Sequence, residues 1–102
     1  MDQETVRTRW RTLIHQAERF AETDNHVDAV ARAKVVLDEV KAALAEAGAA
    51  ERVWLTQDLF LYERQVDRFE QLRDAWDKTV RARKEAFETR ERNTYHGENP
   101  AG

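Results

Sequence analysis

Between residues 50 and 93 the chain has no glycine, no proline and no cluster of turn formers, while apolar side chains recur every three or four positions. Nothing in that stretch stops a helix once it has started, and the spacing keeps one stripe apolar for most of its length. The pattern predicts a single helix, roughly 65 Å long at 1.5 Å per residue. So long an element constrains everything else, because the chain that precedes it is too short to cover it from end to end.

That preceding chain reads as two shorter helices. Val6, Trp10, Leu13, Ile14, Ala17, Phe20 and Ala21 define one stripe over about residues 3–23, with Asp2 placed to cap the first turn. Thr23, Asp24 and Asn25 then compete for backbone hydrogen bonds, and Asn tolerates a left-handed backbone, so a tight turn is expected there. Val30, Ala33, Leu37, Val40, Leu44 and Ala47, widened by Val27, Val36 and Ala43, mark a second helix over about residues 26–47, capped by Asn25 or Asp24. Gly48 is expected in the left-handed position just past its end. So short a link makes the second and third helices antiparallel neighbours. The expected fold is all-α: a single-domain, three-helix antiparallel bundle whose third helix, over about residues 50–93, extends beyond it into a flexible tail at 94–102. Three glycines and one proline in 102 residues agree with so little turn structure.

The third helix opens with Val53, Trp54, Leu55, Leu59, Phe60, Leu61 and Tyr62, which point several ways around its axis and are expected to be covered by the first two helices. Counting back from Gly48 puts the start of the second helix level with about Glu70, where the bundle is expected to end. The stripe does not end there. Leu59, Val66, Arg73, Val80 and Phe87 fall at one heptad position, and Leu55, Tyr62, Phe69, Trp76, Arg83 and Arg90 at the other. Asp74 with Lys78, Asp77 with Arg81 and Glu88 with Arg92 are acid-before-base pairs four residues apart, an arrangement that supports an exposed helix.

Trp10 and Trp54 belong to faces that meet inside the bundle, whereas Trp76 falls past its expected end, and tryptophan is a common interface anchor. Phe69, Leu72, Trp76, Val80 and Phe87 are therefore the candidate oligomer or partner interface. Charge along the long helix is polarised. Residues 51–77 hold seven acids and four bases, whereas residues 78–92 hold six bases and three acids. Two such helices crossing antiparallel set each basic block against the partner's acidic one, while a parallel pair stacks Arg83 on Arg83 and Arg90 on Arg90. Lys78, Arg81, Arg83, Lys84, Arg90 and Arg92 also form a candidate basic binding patch.

Chemistry is otherwise absent from the pattern. His15, His26 and His96 lie on separate segments and are expected at the surface or in turns, not at metal-ligand spacing. There is no cysteine, no serine and no glycine-rich phosphate loop, and the carboxylates lie mostly among bases on exposed faces. No catalytic residue, metal or cofactor is expected, and the chain does not read as an enzyme. A net charge of −3, with Glu85, Glu88 and Glu91 diluting the basic block, counts against nucleic acid, which stays the alternative partner. No run of eighteen apolar residues and no signal-like start occurs, so a cytoplasmic protein without membrane contact is expected. Arginine in preference to lysine, with abundant alanine, hints at a bacterial or phage source. The expected function is that of a structural or adaptor subunit, acting through homo-oligomerisation, as an antiparallel homodimer or higher oligomer, or through docking to another helical protein.

Overall fold

The structure, a computed structural model, describes residues 2–97, with side chains from Asp2 to Arg92. It is all-α, with α1 over Gln3–Glu22, α2 over His26–Glu46 and α3 over Ala49–Gly97. The three run up, down and up, so α2 is antiparallel to both neighbours while α1 and α3 run in the same direction.

Local chemistry sets each boundary. The Asp2 carboxylate accepts from the Glu4 N–H and the Thr5 hydroxyl, which opens α1; the Thr5 bond, before the backbone ones, holds that carboxyl below its ordinary range. α1 closes with Asp24 left-handed at φ 64°, and the N–H groups of Asp24 and Asn25 donate back to the carbonyls of Ala21 and Phe20. This double closure satisfies carbonyls that the helix leaves orphaned, and it is Asp24, not Asn25, that takes the strained position. Asn25 is thereby free to cap α2, its side chain accepting from the Asp28 N–H.

The α2–α3 link corrects one expectation, since Gly48 is not left-handed. Ala47, extended at φ −75° and ψ 142°, already ends α2, and the Gly48 carbonyl accepts from the N–H groups of Glu51 and Arg52 at the start of α3. Gly48 therefore opens the next helix instead of closing the last one.

The core sits where α2 lies against both other helices. Trp10, Leu13, Ile14 and Ala17 of α1, Ala29, Val30, Ala33, Val36 and Val40 of α2, and Leu55, Tyr62, Val66 and Phe69 of α3 are all buried. Ala29 and Ala33 are small enough to let α2 approach its neighbours closely. Each large side chain removed from water here contributes roughly 1.5–3 kcal/mol. The expectation that α3 is covered on several sides does not hold. Both shorter helices lie against one side of it, leaving Val53, Phe60 and Leu61 exposed.

α1 meets α3 largely through specific side chains. Trp10 packs at a tilt against Trp54 and edge-to-face against Tyr62, with ring centroids 6.3 and 6.0 Å apart. Arg7 makes a two-pronged pair with Asp58, both bonds 3.0 Å, and its guanidinium lies over the Trp54 ring. Arg68 reaches Glu18 at 3.1 Å near the other end.

α3 also runs further than expected. Its backbone stays helical through Thr94, Tyr95 and His96 to Gly97, past the predicted end at Asn93. Extending an existing helix costs little per residue, and no strong breaker occurs before Gly97. The remainder of the predicted flexible tail, residues 98–102, lies outside the described residues. At 49 residues α3 is roughly 73 Å long, and it accounts for a molecule measuring 80 × 18 × 14 Å.

Candidate functional site: the uncovered seam of α3

The bundle ends at Trp76, roughly 1.7 turns beyond the expected level of Glu70. The His26 ring, from the first residue of α2, lies 5.8 Å from the indole of Trp76. Helical side chains lean towards their own N-terminus. On antiparallel helices His26 therefore leans out from the bundle and Trp76 leans back into it, and the two close a gap that backbone counting leaves open. His26 is buried, which corrects its expected surface position, and its Nδ1 has no hydrogen-bond partner. Its Nε2 lies 3.9 Å from a carboxylate oxygen of Asp24.

The candidate interface residues accordingly divide. Phe69 is 1% exposed and belongs to the core, so it is withdrawn from the interface; it is one of the residues that α1 and α2 exist to cover. Trp76 is half-buried under His26. Leu72, Val80 and Phe87 are exposed at 40%, 43% and 63%. Leu72 joins Phe69, His26 and Ala21 in lining a shallow depression between the end of α1, the start of α2 and the middle of α3, with Glu18, Glu22 and Arg68 also lining it. Val80 and Phe87 lie beyond any cover from this chain. At 100° per residue they fall on the side of α3 that Tyr62 and Phe69 present to the core. The core seam thus continues, uncovered, along the distal third of the helix.

The six bases do not share one face of the helix. The same helical geometry puts Arg83 and Arg90 within the seam itself, at the heptad position of Trp76, Lys84 beside it, and Lys78, Arg81 and Arg92 on the outward side. All six are exposed. None of the acid-before-base pairs expected to brace this segment closes into an ion pair among the described residues; pairs that do close on α3, among them Arg7 with Asp58, Glu18 with Arg68, and Arg73 with Glu70 and Asp74, lie nearer the bundle. The overhang is a basic rod with one apolar stripe.

The sequence reading missed Asp58. At 7% exposure it is the carboxylate sunk among Trp54, Tyr62 and Arg7, and its place on the apolar run between Leu55 and Tyr62 was the available signal. Two further groups are shifted by their surroundings. Burial, and then the Asp58 charge, raise the Tyr62 phenol above its ordinary range. The Arg9 guanidinium, which grips both Glu39 oxygens at 3.0 and 2.7 Å, holds the Glu39 carboxyl low, helped by the Trp10 indole N–H donating to it at 3.2 Å. These groups brace helices against one another and line no enclosed cleft. Among the described residues no group of three or more His, Asp or Glu side chains is placed to hold a metal, and no helix is long and apolar enough to cross a membrane. No protein-family model, curated protein or solved structure matches the chain.

Proposed function

We propose that the protein is a structural or adaptor subunit that works by helix-mediated assembly, the distal seam of α3 being its contact surface. One observation carries this reading. The stripe that α1 and α2 cover as far as Trp76 continues past them through Val80 and Phe87, which stand open to water. A monomer gains nothing from large apolar side chains aligned on an otherwise charged, exposed helix, whereas a second helix laid along the stripe removes them from water at roughly 1.5–3 kcal/mol each. The heptad spacing is that of a two-helix contact. Nucleic acid is the weaker partner, because the six bases are spread around the helix and Glu85, Glu88 and Glu91 lie among them.

The test is sedimentation of the full chain across a wide concentration range, beside the double variant Val80→Asp with Phe87→Ser. The wild type is expected to associate and the variant to stay monomeric, with an unchanged unfolding midpoint at concentrations where both are monomers. A wild type that remains monomeric into the high micromolar range, and retains no helical partner, overturns the reading.

A further inference from the structure

We infer that the seam takes a second copy of this chain in one register only, antiparallel, with the contact centred between Arg81 and Ala82 and fixed by Asp77 of each subunit facing Lys84 of the other. The inference rests on the assembly reading above and deepens it by naming the occupant and the pairing.

Charge decides the direction. Beside the stripe of Arg73, Trp76, Val80, Arg83 and Phe87, one flank carries Glu70, Asp77, Lys84 and Glu91 at seven-residue intervals, and the other carries Leu72, Thr79 and Ala86. Antiparallel helices bring like flanks together, so the charged flank meets its own copy and the small, uncharged flank meets its own copy. With the core layers centred between residues 81 and 82, Asp77 lies about 3 Å along the axis from the partner's Lys84, within reach of its long side chain, and two-fold symmetry repeats the pair, while Glu70 and Glu91 fall outside the crossing. Val80 then lies over the stem of the partner's Arg83, whose head reaches water, and Phe87 lies against the open side of the partner's Trp76. Thr79 and Ala86 on the opposite flank are small enough to let the backbones approach.

The alternatives fail on the same residues. A parallel pair sets the charged flank against the uncharged one, leaving Asp77 and Lys84 without opposite charges while Arg83 and Arg90 meet their own copies. Sliding the antiparallel pair outward by one heptad brings Lys84 onto Lys84 and Asp77 towards Glu91. Sliding it inward turns Lys84 towards the partner's Glu70, but it brings Asp77 onto Asp77 and drives Phe87 into a position that α1 and α2 of the partner already cover. Those helices also limit the contact. At the level of Phe87 the incoming chain reaches the partner's α1–α2 turn, so the two rods must cross at an angle, touching over about three turns. So short an interface gives a weak, concentration-dependent dimer.

The experiment uses charge exchange in the full chain. Asp77→Lys alone and Lys84→Asp alone each place like charges at both symmetric sites, and each is expected to weaken dimerisation roughly tenfold. Mixed in equal amounts, the two variants form heterodimers in which opposite charges meet at both sites, so the mixture is expected to regain wild-type association. Circular dichroism on each variant guards against loss of the overhang helix; where that occurs, Asp77→Asn and Lys84→Gln replace the reversals and each weakens association severalfold. As a second measurement, a spin label on Arg92→Cys is the only label in a chain without cysteine, and the two labels should lie about 30 Å apart along the axis, against a side-by-side separation for a parallel pair. A wild-type dimer whose association neither reversal alters, or whose labels lie side by side, overturns the register while leaving self-association intact. A wild type that stays monomeric overturns both.

Discussion

Phe69 and Phe87 stand eighteen residues apart on α3, five full turns, and so point in the same direction from the same helix. One is 1% exposed and the other 63%. The heptad spacing runs through both halves of α3, although arginine takes several of the distal seam positions; what separates Phe69 from Phe87 is how far α1 and α2 reach. Burial is therefore a property of the neighbours, and a stripe repeated beyond them calls for a neighbour from outside.

The sharpest way to break this comparison is to truncate both phenylalanines. Phe69→Ala removes a ring from a close-packed site and should cost about 3–4 kcal/mol of folding stability, a large part of what a chain of this size possesses. Phe87→Ala should leave the bundle within about 0.5 kcal/mol when unfolding is followed by denaturant at concentrations that keep the protein monomeric. Comparable losses in both would mean that the distal seam is folded against the monomer after all.

A second, smaller contrast concerns charge. Asp58→Ala strips the partner from a half-buried Arg7 lying over Trp54 and should destabilise the bundle by about 1–3 kcal/mol, whereas Glu88→Ala on the overhang should be close to neutral. Thermal melts of the two variants would blur the comparison if they moved together.

The smallest effect expected is one of pH. The Glu39 carboxyl has a depressed pKa in the folded state, so the stability it adds is present above its unfolded value and is lost as the pH falls through the folded one. Both side chains of the Arg9–Glu39 pair are partly reached by water, which keeps the contribution small. Unfolding midpoints between neutral pH and about pH 3 should fall less steeply in Glu39→Gln than in the wild type. The emission of Trp10, whose indole N–H the carboxylate accepts, should respond over the same window in the folded protein. An unchanged slope in the variant would remove Glu39 from the acid response.

Helix number, order and type were legible because periodicity and caps are local: Asp2, Asn25 and the breaker-free run after Gly48 each act through neighbours in sequence. The heptad was legible for the same reason. What escaped depended on distance in space. The end of the bundle was misplaced because counting follows backbones, while His26 and Trp76 close the end with side chains that lean towards each other. Phe69 lies at the margin of that expected end, and its burial depends on the same neighbours. The burial of Asp58 escaped because it depends on Arg7, fifty-one residues away. Gly48 was given the usual duty of a glycine after a helix, which the extended Ala47 had already made unnecessary.

The unbroken backbone of α3 makes the molecule a ruler as well as a surface. With no joint between the bundle and the distal seam, anything seated at Phe87 is held at a set distance and a set azimuth from the core. Length and phase are then coupled. Deleting seven residues from the overhang would draw the far end in by about 10 Å and turn it only about 20°. Deleting five would draw it in by less and swing the seam by about 140°, onto nearly the opposite side of the rod. An assembly built on this helix would tolerate the first change as a shorter spacing and read the second as the loss of its binding face.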